Sequence, residues 1–136
     1  MNNIIAITPG EPSGIGPDIT LKCLSKKINS RIFVIYDIEH LRYRAKKLNL
    51  NFKFKEINIY EDIKKCDGKV IYCQNVNLVS PVKIGIPCKN NSSFVIKCLK
   101  TAIKACLDNR ISAMVTGPVD KTIINKSGVK FSGHTE

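Results

Sequence analysis

The chain has 136 residues, of which 43% are hydrophobic and 24% are charged, and such values are typical of one globular domain. They exclude a disordered chain, a collagen-like repeat and a disulfide-rich miniprotein. Uninterrupted apolar runs stay far below the about 20 residues that a membrane-spanning helix needs, and the amino terminus lacks the basic and apolar regions of a signal peptide. We therefore expect a cytoplasmic protein with no membrane partner.

Charge is the one unusual property of the composition. The chain has 22 Lys and Arg against 11 Asp and Glu, a net charge of +11. Such an excess is compatible with a nucleic-acid partner. However, 18 of the basic residues are Lys and only 4 are Arg, whereas Arg is the residue expected where bases and phosphates are bound bidentately. We attribute the excess to compositional drift in an A+T-rich genome and expect no nucleic-acid partner; a basic face and missing acidic segments stay open as alternatives.

The first half of the chain alternates between strand and helix. Buried or alternating apolar residues predict strands at 3–8, 31–36 and 52–59. Apolar residues at helical spacing predict helices at 17–28 and 38–48, the first with Pro17 in its first turn.

The second half continues the alternation. Strands are predicted at 69–73, 78–82 and 111–115, and helices at about 92–108 and 119–127. Because strands alternate with helices long enough to cross between parallel neighbours, the fold class is α/β, with a mostly parallel sheet flanked by helices.

A glycine- and proline-rich motif follows the first strand, at residues 8–18 (Thr-Pro-Gly-Glu-Pro-Ser-Gly-Ile-Gly-Pro-Asp). It is neither a dinucleotide fingerprint nor a P-loop, because the third Gly of the one and the Gly-Lys-Ser/Thr of the other are absent. In open α/β sheets, ligands bind beyond the carboxyl ends of the strands. The motif therefore indicates a ligand cleft that Glu11 lines; a turn built only for packing is the alternative. Asp37 is interpreted as a simple strand-end residue.

Two further motifs lie near the end of the chain. Residues 116–121 (Thr-Gly-Pro-Val-Asp-Lys) follow the last predicted strand, so they are expected to face the same cleft, where Lys121 can reach an anionic substrate. Its alternative is an exposed helix lysine. Residues 132–136 (Ser-Gly-His-Thr-Glu) place His134 between polar neighbours, where it can carry a proton or bind an anion or a metal. His40 is interpreted as an exposed helix residue without a role.

Six cysteines complete the set of reactive residues. No pair has C-x-x-C spacing, and two histidines cannot complete a regular zinc pattern with them. They are interpreted as buried free thiols of a reducing compartment.

Residues 7–18, 115–121 and 131–136 together, in this order and spacing, resemble the 4-hydroxythreonine-4-phosphate dehydrogenase family. The resemblance implies an isocitrate/isopropylmalate-dehydrogenase-like fold that is homodimeric at full length. It also implies oxidation of 4-phosphooxy-L-threonine by NAD or NADP and then loss of carbon dioxide. The product is 3-amino-2-oxopropyl phosphate, in pyridoxal 5'-phosphate biosynthesis.

The resemblance also implies roles for particular residues. His134 and Thr135 are substrate-binding. The divalent metal of the family is held by three histidines for which this chain has no counterpart, so the resemblance gives no metal ligand, and no catalytic or cofactor-binding residue is assigned. We expect residues 1–136 to form the N-terminal α/β portion, the first domain only. Residues 130–136 would begin the crossover into a second domain, which is missing, and the chain alone would be inactive.

Three other functions remain open at this point. The chain can be a non-functional remnant of a decaying gene, or a relative that acts on another phosphorylated hydroxy acid. A basic nucleic-acid module is the third, and strongly salt-dependent binding would reveal it.

Overall fold

The computed structural model describes residues 3–59 and 61–133. Its centre is a sheet of six strands: β1 (Ile4–Thr8), β2 (Lys27–Tyr36), β3 (Lys53–Glu56), β4 (Lys65–Asp67), β5 (Val70–Asn75) and β6 (Ala113–Thr116). The strands lie in the order β3-β5-β2-β1-β6, and β4 pairs with β2 off this path. All pairs are parallel except β2 with β4.

Within the described ranges, four α-helices accompany the sheet: α1 (Gly16–Leu24), α2 (Ile38–Lys47), α3 (Ser92–Leu107) and α4 (Lys121–Lys126). The helix α1 packs against α2, whereas α3 packs against β1, β2 and β6. Right-handed crossovers between parallel strands place α1 and α2 on one face of the sheet and α3 on the other. The predicted α/β fold with a mostly parallel sheet is therefore confirmed.

The core forms where α3 covers the middle of the sheet. The apolar run of β2 is fully buried along Phe33–Tyr36, and the Tyr36 ring meets Phe94 of α3 edge to face, with ring centroids 4.9 Å apart. Burying each large side chain stabilises the fold by about 1.5–3 kcal/mol. Because β2 lies in the middle of the sheet and ends at the buried Tyr36, the core extends to the carboxyl edge of the sheet.

Local sequence explains how α2 begins. Asp37 follows β2, and its Oδ1 accepts a hydrogen bond of 3.0 Å from the His40 N–H, which caps the helix. Its Oδ2 accepts from the Leu78 N–H at 2.8 Å. The prediction that Asp37 is a strand-end residue agrees with this placement, which also ties α2 to the segment after β5.

The predicted helix at 17–28 is wrong at its end. The helix α1 stops at Leu24, and Ile28 lies in β2, which begins at Lys27. The strand β2 therefore begins four residues before the predicted start at Arg31, and this extension pairs antiparallel with β4, a short strand that the sequence analysis did not predict. Pairing with a distant segment outweighs the local helical spacing of Ile28.

The predicted strand at 78–82 is also wrong. Its backbone groups pair with a side chain instead of a neighbouring strand, since the Asn91 Oδ1 accepts from the Val79 N–H at 3.1 Å and from the Ser80 N–H at 2.9 Å. The Asn91 side chain therefore binds this loop and makes no cap on α3.

The remaining predictions of elements hold with shifted ends. The strand expected at 52–59 is shortened to β3, and the one expected at 111–115 is β6. All six cysteines are free thiols, as predicted, but only Cys66, Cys73 and Cys98 are buried. The prediction of burial is wrong for Cys23, which is exposed, and for Cys88 and Cys106, which are half-buried. In the described part of the chain, no helix combines the length and the hydropathy that crossing a membrane requires.

Candidate functional site

The two predicted ligand loops lie side by side. We call residues 9–15 the Gly/Pro loop and residues 117–120 the second loop; they follow β1 and β6, which are parallel neighbours with Thr8 opposite Thr116. The Gly117 N–H donates to the Thr8 carbonyl at 2.7 Å, and the Glu11 N–H donates to the Pro118 carbonyl at 2.9 Å. The backbones of both loops are thus joined at the carboxyl edge of the sheet.

Glycines make this close approach possible. A Cβ on Gly10, whose φ is +88°, would lie 2.9 Å from the Pro118 carbonyl carbon and nearer still to its oxygen. A Cβ on Gly16 or Gly117 would meet the Pro9 carbonyl in the same way. Side chains are therefore excluded at these three positions, and the joined loops form one closely packed unit.

Glu11 lies inside this unit. It is 9% exposed, and its Oε1 accepts hydrogen bonds from the Ser13 N–H at 3.2 Å and the Ser13 hydroxyl at 2.9 Å. The carboxylate therefore holds the Gly/Pro loop from within. That Glu11 lines a cleft stays a prediction.

Lys121 is the exposed first residue of α4, beside the second loop. The preceding Asp120 caps the helix by accepting a hydrogen bond of 3.0 Å from the Ile123 N–H. This cap fixes the backbone from which Lys121 projects. A role for Lys121 in a cleft stays a prediction too.

The proposed substrate residues His134 and Thr135 lie outside the described residues. The segment that leads to them is attached to α4, because the Phe131 N–H donates to the Asn125 Oδ1 at 2.8 Å. Residues 116–126 and the start of the third motif are therefore neighbours.

Two residues of α2 contribute to the site that the sequence analysis missed. Arg44 is 3% exposed, and its guanidinium donates to the Pro12 carbonyl at 2.8 Å, the Gly14 carbonyl at 2.7 Å and the Asp18 Oδ1 at 2.8 Å. His40 lies one turn earlier, with its Nε2 2.9 Å from the same Pro12 carbonyl.

The prediction that His40 is exposed is wrong, because its ring is buried between α2 and the Gly/Pro loop. Burial lowers the pKa of His40 below its usual value, and the positive charge of Arg44 acts in the same direction. The available signal was position: both residues adjoin the apolar stripe that includes Leu41 and Ala45.

Tyr36 holds the base of the Gly/Pro loop. Its hydroxyl donates to the Gly10 carbonyl at 2.8 Å. Burial raises the pKa of Tyr36 well above its usual value, so the phenol stays a donor. Thr8, by contrast, carries a buried hydroxyl with no hydrogen-bond partner in the described part of the chain.

The first turn of α1 opens at this edge. Ile15 stands at the N-cap position and no side chain caps the helix, and Pro17 lacks an N–H. The amides of a first turn have no intrahelical acceptors and carry partial positive charge. Such an arrangement favours anionic groups.

A metal does not fit the described residues. Within 3–59 and 61–133, no group of three or more His, Cys, Asp or Glu side chains could hold an ion. A divalent metal would therefore need ligands from outside these ranges.

The fold and these loops define an open α/β protein whose strand-end loops meet at the carboxyl edge of the sheet, where folds of this class bind their ligands. Residues 28–136 match the family of pyridoxal phosphate biosynthetic protein PdxA. The chain belongs to this family.

Individual relatives agree with the family match. The chain is 40% identical over 132 residues to a 4-hydroxythreonine-4-phosphate dehydrogenase from Pseudoalteromonas translucida, covering 97% of this chain and 40% of that protein. It is 37% identical over 140 residues to the enzyme of the same name from Saccharophagus degradans, covering 98% of this chain and 39% of that protein. The chain therefore spans about two fifths of the length of these relatives.

A solved structure shows the same fold. The crystal structure of a 4-hydroxythreonine-4-phosphate dehydrogenase from Burkholderia phymatum superposes with a TM-score of 0.90 at 23% identity. The match covers 100% of this chain and 42% of that one.

Proposed function

We propose that this chain is the N-terminal α/β portion of a 4-hydroxythreonine-4-phosphate dehydrogenase and that residues 130–136 lead into a second domain. The observation that carries the proposal is the family match over residues 28–136, together with relatives of that name at 40% and 37% identity. The structure supports it by joining two of the three matching motifs at one edge of the sheet.

The proposed reaction is the oxidation and decarboxylation of 4-phosphooxy-L-threonine. The carbon that bears the hydroxyl gives a hydride to NAD or NADP, and the hydroxyl gives up its proton. The resulting ketone loses carbon dioxide, and the remaining enolate takes up a proton to give 3-amino-2-oxopropyl phosphate. The product is used in pyridoxal 5'-phosphate biosynthesis.

The substrate carries a phosphate and a carboxylate, so the site must bind anions. His134 and Thr135 are proposed to contact the substrate, and Lys121 to supply a positive charge at the cleft. The uncapped first turn of α1 supports binding of an anion at this edge.

The divalent metal and the nicotinamide cofactor are part of the proposal for the whole enzyme only. No described cluster fits a metal, and the Gly/Pro loop lacks the dinucleotide fingerprint. We therefore expect the 136-residue chain alone to have no measurable turnover. The whole enzyme is proposed to be a cytoplasmic homodimer.

The test is an assay of the native gene product, isolated from the source cells with its intact mass determined. The expected result is reduction of NAD or NADP, read by absorbance, with 4-phosphooxy-L-threonine and a divalent metal present. His134→Ala is expected to lower kcat/KM, whereas the matched control Lys100→Gln, on the exposed side of α3, leaves it unchanged.

Two other outcomes of this assay would support one of the alternatives instead. Turnover of another phosphorylated hydroxy acid, but not of 4-phosphooxy-L-threonine, would show a relative with changed specificity. A native product of 15.2 kDa without any turnover would show a remnant of a decaying gene. Either result would refute the proposed reaction.

A further inference from the structure

The helix α2 contacts the Gly/Pro loop through two residues on one face. His40 and Arg44 are four residues apart, so their side chains project from the same side of the helix. Both point at residues 12–18, although neither belongs to the three motifs that carry the resemblance to the family.

The guanidinium of Arg44 spans the start of α1. Three different nitrogens donate to three acceptors: Nε to the Asp18 Oδ1 at 2.8 Å, Nη1 to the Pro12 carbonyl at 2.8 Å, and Nη2 to the Gly14 carbonyl at 2.7 Å. Only a planar group with several fixed N–H donors can make all three bonds at once. The relative positions of these three acceptors are thus set by one side chain.

His40 strengthens the same contact. A carbonyl oxygen can only accept, so the Nε2 that lies 2.9 Å from the Pro12 carbonyl carries the proton. Pro12 therefore accepts two hydrogen bonds from α2. Since Pro12 has no N–H, its carbonyl is the one backbone group through which this residue can be held.

Burying the charged Arg44 side chain between α2 and α1 is not the arrangement that would make the folded state most stable. Removing a cation from water carries a large desolvation cost, and well-packed apolar residues are often equally stabilising or better. One carboxylate, Asp18, offsets the charge, with its side chain 31% exposed. A buried arginine is better explained by the geometry that it imposes on the loop than by the stability that it adds.

We propose that Arg44, assisted by His40, is a positioning residue that holds the Gly/Pro loop and the start of α1 in the conformation that binds substrate. This inference rests on the proposed function, because it requires the loop to face the substrate. It assigns a role in the reaction to two residues of α2 that act through the loop they hold.

The kinetic test uses the native gene product with Arg44→Lys and Arg44→Met. We expect kcat/KM to fall about tenfold to a hundredfold in Arg44→Met, the effect of displacing a binding group by about 1 Å. A smaller fall in kcat/KM is expected in Arg44→Lys, which keeps the positive charge but lacks the planar guanidinium group with its several fixed donors. The matched control is Arg42→Met, at the exposed ion pair with Glu39 on the same helix, and it should leave kcat/KM unchanged.

A second measurement separates this inference from the proposed function. In the 136-residue chain, amide hydrogen exchange at Ser13 and Gly14, which donate to Glu11, reports on the loop. Exchange there should be about tenfold faster in Arg44→Lys, the equivalent of one net hydrogen bond, while the amides of Val34 and Ile35 in the core are unchanged. An inactive wild type with this exchange pattern would refute the reaction and leave the structural role of Arg44 intact.

Three results would overturn the inference. Equal acceleration of loop and core amides would show that Arg44 serves global stability alone. Unchanged loop exchange in Arg44→Lys would show that the loop needs no such contact. An active wild type whose Arg44 variants keep full kcat/KM would show that the position of the loop is irrelevant to substrate. If Arg44→Met does not fold, kcat/KM and loop exchange are measured in Arg44→Lys and in His40→Leu instead. His40→Gln, which keeps a side-chain N–H donor, is the control for His40→Leu.

Discussion

Replacement of Gly16 by alanine tests whether the start of α1 packs on Pro9 as closely as the structure shows. Alanine normally stabilises a helix relative to glycine by about 1 kcal/mol. At Gly16, however, the new Cβ would lie 2.9 Å from the Pro9 carbonyl carbon and closer to its oxygen, and the neighbouring atoms belong to backbone.

The magnitude follows from these opposing effects. Overpacking a buried site costs about 1–3 kcal/mol, and a backbone neighbour that cannot rotate away puts Gly16 at the upper end. After subtraction of about 1 kcal/mol for helix propensity, we expect Gly16→Ala to lower the free energy of unfolding by about 2 kcal/mol. For a chain of this size the midpoint of thermal unfolding should fall by roughly 8 °C.

The assay is thermal and urea unfolding of the 136-residue chain, followed by circular dichroism. Gly14→Ala is the matched control in the same loop, since its nearest neighbour would lie at 3.5 Å, an ordinary contact. That variant should stay within about 0.5 kcal/mol of the wild type. A Gly16→Ala protein that is as stable as the wild type would refute the close packing of Pro9 on α1.

Three further measurements address other parts of the molecule. Because burial lowers the pKa of His40, the folded state binds a proton less readily than the unfolded state. The contribution of His40 to the free energy of unfolding is therefore fully present above the ordinary histidine pKa of about 6.5, and it declines as the pH falls from there toward the lowered pKa. Urea unfolding measured at a series of pH values should show this decline in the wild type and not in His40→Gln. Burial raises the pKa of Cys73 to about 12, so a thiol reagent should modify the exposed Cys23 in the native chain and leave Cys73 unmodified until unfolding, as mass spectrometry of peptides would reveal. Phe94→Ala removes the aromatic contact with Tyr36 and should cost about 3–5 kcal/mol in urea unfolding, whereas a loss below about 1 kcal/mol would contradict the described core.

The sequence predicted those parts of the fold that depend on local patterns. The strand at 3–8 and the helix at 38–48 agree with β1 and α2, because the spacing of apolar residues alone indicates a buried strand or an amphipathic helix. The position of the two loops followed as well, since parallel strands bring their carboxyl ends to one edge.

The parts that failed depend on contacts between distant segments. The end of α1 is set by pairing of β2 with β4, and the irregular path at 78–80 is set by the amide of Asn91. No pattern within a window of several residues contains this information. Arg44 is the clearest case for the site: its position beside the apolar stripe of α2 was a signal for burial, but nothing in the sequence shows which distant carbonyl groups its guanidinium binds.

The glycines of the two loops distinguish packing from ligand binding, the alternatives that the sequence left open. Gly10 and Gly117 are required by the contacts between the two loops, and Gly16 is required by the contact of α1 with Pro9, so their presence says nothing about a ligand. Gly14 is different, because a Cβ there would meet only ordinary contacts and its φ lies outside the left-handed region. Packing gives no reason for glycine at this position.

A ligand that approaches the loop backbone would give such a reason. We therefore expect Gly14→Ala in the native gene product to raise the KM for 4-phosphooxy-L-threonine, or for the nicotinamide cofactor, by about tenfold, the equivalent of about 1.4 kcal/mol of lost binding. Its unfolding free energy should stay at the wild-type value. The outcome that contradicts this reasoning is a stable Gly14→Ala enzyme with unchanged KM for both, because the Gly/Pro loop would then be a packing element that no ligand touches at Gly14. Measuring the two KM values separately also shows which ligand lies against the loop, since only the ligand that meets the added methyl group loses affinity.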